Sequence, residues 1–216
     1  MYWNIIDKDR YKLLKDIIET VTIPTYYMIG GTALSLQMGL RESFDFDFCV
    51  PTQFNNELLL EELGKIGEMK VKQNQSGTCD VILNGVQVSF FYYPNKIINK
   101  LVIPQEMPKL KMASILDIAI MKIVAIGGRG AKKDFFDLYN IINKCKISIK
   151  ELAEGLIEKC GNKTNYVNII MGLSYFEDAE QEILPKTFVE YNWEEIKEFF
   201  INYQKEFKEY IEKIIT

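Results

Sequence analysis

The chain has 216 residues, is 48% hydrophobic and 26% charged, and carries a formal net charge of −4. That is the balance of a globular protein with a real core, sized for one large or two small domains, and it argues against a surface that seeks nucleic acid everywhere, while leaving room for a local basic patch. Histidine is absent, which excludes Ser-His-Asp and Cys-His catalysis, disfavours zinc, and leaves any metal to oxygen ligands, meaning Mg²⁺, Mn²⁺ or Ca²⁺. The cysteines Cys49, Cys79, Cys145 and Cys160 form no C-x-x-C pair and sit in or beside apolar runs; they read as reduced, buried thiols. The N-terminus shows no signal-peptide pattern, and no apolar run approaches the ~20 residues of a membrane span. The cytoplasm is the expected location.

Taken in order, residues 9–20 place Tyr11, Leu13, Leu14, Ile17 and Ile18 at helical spacing, predicting an amphipathic helix that Pro24 breaks. Tyr26 to Ile29 reads as a strand ending at Gly30-Gly31. Thr32 to Met38 reads as a short helix that Gly39 ends. Phe44 to Val50 alternates, with Phe44, Phe46 and Phe48 on one face and Asp45 and Asp47 on the other, as a strand should. Phe54 to Ile66 is predicted helical. Segments 68–74, 78–83 and 86–93 are predicted strands, the last two joined by Asn84-Gly85, the strongest short hairpin signal.

Three prolines between Pro94 and Pro108 mark an irregular stretch, and two domains are expected, 1–108 and 109–216. Everything after it reads helical. Ser114-x-x-Asp117 is a capping box for a helix through Ile126 that Gly127-Gly128 ends, and Ala131 to Asn143 is another helix. Ser148-x-x-Glu151 caps a third, and Thr164 to Leu173 forms a fourth. Asn192-x-x-Glu195 caps the last, from Trp193 to Ile214, whose aromatics read as core, with a partner surface as the alternative. The predicted class is α+β: a mixed sheet with helices, then a helical bundle.

The chemistry concentrates between Met28 and Val50. Asp45 and Asp47, two apart on a strand, place their carboxylates on one side, roughly 7 Å apart. Like charges that close are destabilised unless a cation lies between them, and Mg²⁺ on one or two carboxylates plus substrate phosphates is a common arrangement. Alone, D-x-D also describes an edge strand with a solvated face. Gly30-Gly31, where a strand passes into a helix, presents backbone N–H groups that a phosphate can approach. Triphosphate on the glycines and metal on the aspartates would share one pocket. Later, Lys122, Arg129, Lys132 and Lys133 concentrate positive charge in an acidic chain. Lys122 lies inside the apolar run I-A-I-M-K-I-V-A-I, where a lysine needs a reason. Asp134 and Asp137 fall in a first helical turn, where acids suit the helix dipole; the functional alternative is that they orient the basic residues or serve as acid or base.

These residues carry a resemblance. G-G-T-A-L-x-L-x-x-G-L-R-x-S-x-D-x-D-F resembles the signature of the polymerase-β-type nucleotidyltransferases, and specifically of the AbiEii/AbiGii toxin-like family. A helix lysine at Lys122 followed by R-G-x-K-K-D-F-F-D-L-Y from Arg129 is similar to that family's second block. The resemblance implies a polymerase-β-like core with a C-terminal helical domain. It also implies metal-dependent transfer of a nucleotidyl group from an NTP to an RNA end (tRNA included) or a protein hydroxyl, by the toxin of a toxin–antitoxin pair or a phage-defence system.

On that reading Asp45 and Asp47 hold Mg²⁺ or Mn²⁺. Gly30, Gly31, Thr32, Arg41 and Ser43 cradle phosphates, and Lys122, Arg129, Lys132 and Lys133 steady the triphosphate. Asp134 joins Lys122 as a candidate catalytic group. A cognate antitoxin is the implied protein partner. Two departures stand out. Leu40 occupies the place of a histidine common in the family. The third carboxylate usual on a neighbouring strand reads Ser89, which leaves Ser89 itself, Asp80 across the hairpin, Asp134 and Asp137 as candidates for its role. The alternative is a nucleotidyltransferase-like module that has lost its chemistry and binds nucleotide or a partner.

Overall fold

A computed structural model describes residues 1–161 and 164–215. Asn162, Lys163 and Thr216, which the expected second domain includes, lie outside the described residues. The chain divides into two compact units, one of residues 1–95 and 100–114, the other of 96–99 and 115–216.

In the first unit a 3-10 turn at Trp3–Ile5 precedes α1 (Lys8–Thr20), whose N-terminus is capped by the Asp7 carboxylate on the Arg10 amide. Strand β1 (Tyr27–Ile29) leads directly into α2 (Gly30–Met38), followed by β2 (Phe46–Val50) and α3 (Asn56–Gly64). Strands β3 (Met69–Gln75), β4 (Thr78–Leu83) and β5 (Val86–Tyr92) complete the unit's regular elements. Among the described residues the strands form one sheet in the order β1-β2-β5-β4-β3, with β2 and β5 parallel and every other pair antiparallel. Asn84 and Gly85 both take positive φ, +49° and +79°, as a two-residue hairpin of this twist demands. Segment 100–114 returns to β1: Met28 donates to the Lys111 carbonyl and accepts from the Ala113 amide.

Alternation sorts the sheet's two faces. Phe46, Phe48, Val88, Phe90, Cys79 and Val81 are buried on one face, where the Phe48 and Phe90 rings stack 4.8 Å apart and Tyr26 meets both edge-on. Aromatic pairs of this kind contribute about 0.5–1.5 kcal/mol beyond simple burial. The other face carries Asp47, Ser89, Asp80 and Gln87.

Two expectations need correcting. Strand β2 begins at Phe46, not Phe44; Phe44 is exposed, with the Arg10 guanidinium over its ring. The Asp45 carbonyl is taken by the Thr32 hydroxyl. Helix α2 begins at Gly30, not Thr32, so both glycines lie in its first turn; its end at Gly39, φ +69°, is where the sequence places it. Of the cysteines, Cys49 and Cys79 are buried, but Cys160 is only half-buried and Cys145 is exposed, each at the last turn of its helix.

The second unit is helical: α4 (Ile115–Gly128), α5 (Lys132–Cys145), α6 (Ile149–Cys160), α7 (Tyr166–Gly172), the single turn α8 (Glu177–Glu180) and the long α9 (Trp193–Ile215). Helix α4 is apolar nearly all round and packs against α5, α6 and α7, the position such a helix must take. The capping box at Ser148 and Glu151 is formed. Along α9, Ile196, Phe200, Tyr203, Phe207 and Ile211 face inward.

Helices α4 and α7 approach closely enough that glycine is required at their contact. A Cβ on Gly172 would stand 2.7 Å from the Gly127 Cα, and one on Gly127 would stand 2.7 Å from the Ile169 Cα. Both obstacles are backbone and cannot turn aside. Gly172→Ala is therefore expected to lower stability by about 1–3 kcal/mol, the usual cost of overpacking; a chemical denaturation curve measures it, and unchanged stability would contradict the close contact.

Candidate active site

The first unit gathers most of the residues that the Met28–Val50 stretch singles out. Gly30, with φ +73°, turns the chain from β1 into α2, a conformation glycine adopts at little cost. A Cβ there would lie 2.9 Å from an Asp47 carboxylate oxygen. A Cβ on Gly31 would lie 2.7 Å from both an Arg41 guanidinium nitrogen and the Ser43 hydroxyl. The glycines thus let an acid, a base and a hydroxyl rest directly on the backbone of the first turn of α2. The Thr32 hydroxyl is 3.0 Å from Ser43 Oγ and donates to the Asp45 carbonyl at 2.5 Å. Arg41 is buried and donates to the Glu42 carbonyl at 2.9 Å. Asp47 is half-buried and Asp45 exposed. Backbone N–H groups in a helix's first turn have no partner within the helix, and the dipole there favours negative charge.

The register settles where Ser89 and Asp80 stand. Asp47 pairs with Ser89 across β2 and β5, and Ser89 pairs with Asp80 across β5 and β4. Residues directly opposite share a face, so the three form one row. Ser89 Oγ donates to Asp80 Oδ1 at 3.1 Å, and Gln87 Nε2 donates to Asp80 Oδ2 at 3.2 Å. The Lys72 ammonium is 3.8 Å from the same Oδ2. Among the described residues, no group of three acids or cysteines is gathered closely enough to hold a metal ion.

In the second unit the basic block is built around Asp134. Lys122 Nζ lies 2.7 Å from Asp134 Oδ1 and 2.7 Å from Asp137 Oδ2. Arg129 reaches Asp134 with two nitrogens, at 2.9 and 3.2 Å. Both carboxylates are fully buried and Lys122 is 5% exposed, whereas 61% of the Arg129 side chain is exposed. Burial is the largest influence on Asp134 and pushes its carboxyl up; the Lys122 charge and the Arg129 hydrogen bond outweigh it and hold the carboxyl below the usual aspartate range. Of the two readings of Asp134 and Asp137, dipole partners or acids that orient the basic residues, the geometry fits the second: α5 turns both inward to meet Lys122, which supplies the reason for a lysine in an apolar helix. The Lys132 ammonium lies over the Trp193 ring at 4.9 Å, and the Lys132 amide donates to Glu182. Lys133 is half-buried.

One buried pair escapes sequence reading. Lys159 Nζ lies 2.7 Å from Asp117 Oδ1, and Asp117 also accepts the amides of Ile98 and Asn99. A lysine on an otherwise apolar helix face was the available signal, as at Lys122.

The family model described as Nucleotidyl transferase AbiEii toxin, Type IV TA system, matches residues 12–214. An uncharacterized protein of Aquifex aeolicus (strain VF5) is 33% identical over 211 residues, covering 96% of this chain and 98% of that protein. A crystal structure from H. pylori, provisionally named a nucleotidyltransferase, matches with a TM-score of 0.53 at 14% identity, covering 97% of this chain and 99% of that one. At that identity the likeness shows the fold alone, an α+β nucleotidyltransferase core with helices after it. A Megavirus polyadenylate synthase matches at a TM-score of 0.47 and 13% identity, covering 81% of this chain and 40% of that one, a likeness too weak to argue from.

Proposed function

For a chain that belongs to the AbiEii nucleotidyl transferase toxin family, we propose transfer of NMP from an NTP to a hydroxyl of an RNA end, such as that of a tRNA, or of a protein. The observation that carries this reading is the seating of Asp47, Arg41 and Ser43 on Gly30 and Gly31. Asp45 and Asp47 offer oxygen donors only, a set that suits Mg²⁺ or Mn²⁺. Such an ion supplies charge neutralisation of the phosphates. Gly30, Gly31 and Thr32 present the amides of the first turn to phosphate oxygens, while Arg41 and Ser43 add a charge and a hydroxyl. Arg129, Lys132 and Lys133 are the cations assigned, from the sequence resemblance, to the triphosphate. Lys122, Asp134 and Asp137 form the buried cluster that orients Arg129. On this proposal residues 1–108 form the nucleotidyltransferase core and 109–216 the helical domain. The biological setting proposed is a toxin held in check by a cognate antitoxin, or a phage-defence factor, acting in the cytoplasm. Among the described residues no helix is long and apolar enough to cross a membrane.

A second reading has one observation in its favour: the row position beside Asp47 is a serine. On that reading the chain binds nucleotide or a partner without chemistry. Labelled NTP offered with Mg²⁺ to total RNA and protein separates the two. Transfer by wild type that vanishes in Asp45→Asn supports the enzyme. Intact NTP binding with no transfer to any acceptor, for any of the four NTPs, supports the binding module.

A further inference from the structure

The row Asp47–Ser89–Asp80 spans three adjacent strands, and its middle member is the one with no charge. Adjacent strands stand about 4.8 Å apart, so Asp80 is roughly 10 Å from Asp47 across the sheet, too far for its carboxylate to share one ion with Asp47 directly. Ser89 fills the interval. It is 1% exposed, and its hydroxyl proton points to Asp80 Oδ1 at 3.1 Å. A hydroxyl whose proton is given to a carboxylate keeps its lone pairs for an incoming proton. The other Asp80 oxygen is held by Gln87 at 3.2 Å, which leaves Oδ1 to Ser89. The arrangement is a base set back by one strand, with a hydroxyl in front of it.

We propose that Asp80 is the proton acceptor of the transfer reaction and that Ser89 relays the proton to it. The proposal rests on the nucleotidyltransfer reading above. The acceptor hydroxyl, held between Asp47 and Ser89 within hydrogen-bond reach of Ser89 Oγ, attacks the α-phosphorus. A new O–P bond forms as the bond from the α-phosphorus to the pyrophosphate oxygen breaks. The acceptor's proton passes to Ser89 Oγ while the proton on Ser89 Oγ passes to Asp80 Oδ1. The electron pair of the broken P–O bond leaves with pyrophosphate. Ser89 ends as it began, and Asp80 holds one proton, which it returns to solvent before the next turnover. The Lys72 ammonium, 3.8 Å from the same carboxylate and itself half exposed, compensates its charge between turnovers.

Four proteins test the relay: wild type, Asp80→Asn, Ser89→Ala, and Asp80→Asn combined with Ser89→Asp. Each is assayed for kcat against pH, for Mg²⁺–NTP affinity by calorimetry, and for thermal stability. Asp80→Asn and Ser89→Ala are expected to lose about 10²-fold or more in kcat, the scale of general base catalysis. NTP affinity and melting should stay near wild type. The fall of kcat on acidification should disappear in Asp80→Asn. The double variant, which returns a carboxylate to the strand beside Asp47, should regain both rate and acid limb. An active wild type with a fully active Asp80→Asn overturns the relay alone. So do loss of rate with an unchanged pH profile and failure of the double variant to recover while it still binds NTP. A wild type that transfers nothing overturns the relay together with the function it serves.

Discussion

Asp47→Asn is expected to reduce nucleotidyl transfer by about 10³-fold or more, roughly 4 kcal/mol of transition-state stabilisation, while the protein stays folded. Asn has the shape of Asp and keeps its hydrogen-bonding oxygen, so the contact with Gly30 survives. What goes is the negative charge that would hold a divalent ion at the first turn of α2. The half-buried position of Asp47 sharpens the effect, because a charge shielded from bulk water interacts more strongly than one in it. Gly30→Ala should reach the same end by another path. Its Cβ would come within 2.9 Å of the Asp47 carboxylate at a backbone φ of +73°, so both the acid and the turn must shift. Transfer rates with saturating NTP, beside melting curves, distinguish the two: Asp47→Asn costs rate alone, and Gly30→Ala costs rate and stability. An Asp47→Asn protein with wild-type rate would remove Asp47 from the metal site.

Lys122→Met should cost stability instead, by about 3–5 kcal/mol, the usual consequence of removing one partner from a buried ion cluster. The two carboxylates it joins are fully buried, and without its ammonium the cation left at Asp134 among the described residues is the largely exposed Arg129. Urea denaturation measures the loss, and coupling with Asp137→Asn in a double-mutant cycle isolates the ion pair. The same cluster sets an acid limit. Because the net effect on Asp134 is to hold its carboxyl below the ordinary range, its contribution is complete above the unfolded-state value of about 3.9 and is lost as pH falls through the lower folded value. Stability should therefore decline below about pH 4, and Asp134→Asn should flatten that decline. An Asp134→Asn protein whose acid denaturation matches wild type would show that the cluster is not what titrates.

How much of this could be read from residues alone depended on whether the determining interactions were local. Asn84-Gly85 forms its hairpin because two positive φ angles suit few other residue pairs. Gly39 ends α2, and Ser148 with Glu151 caps α6, because caps are settled within four residues of chain. The alternation around Asp47 was legible for the same reason, and the glycine–aspartate block followed by the block from Lys122 to Tyr139 resembled the family that the comparison over residues 12–214 shows.

The interactions that decide the chemistry were not local. Strand order places β5 between β2 and β4, and only that order turns Asp47, Ser89 and Asp80, up to 42 residues apart in number, into one row. Alternation tells which side of a strand a residue takes; it does not tell which strand lies beside it. Asp134 sits in the first turn of α5, where acids are ordinary, and Asp137 one turn further on; only the packing of α5 against α4 shows that both are buried on Lys122. The pairing of Asp117 with Lys159 spans 42 residues, and local rules assigned Asp117 to a cap. The sequence by itself determined the elements, their ends and the family, because short-range sterics and caps act within a few residues. The tertiary structure decided which charges are neutralised in the interior and which acid stands behind Ser89, because both depend on neighbours that only the folded chain brings together.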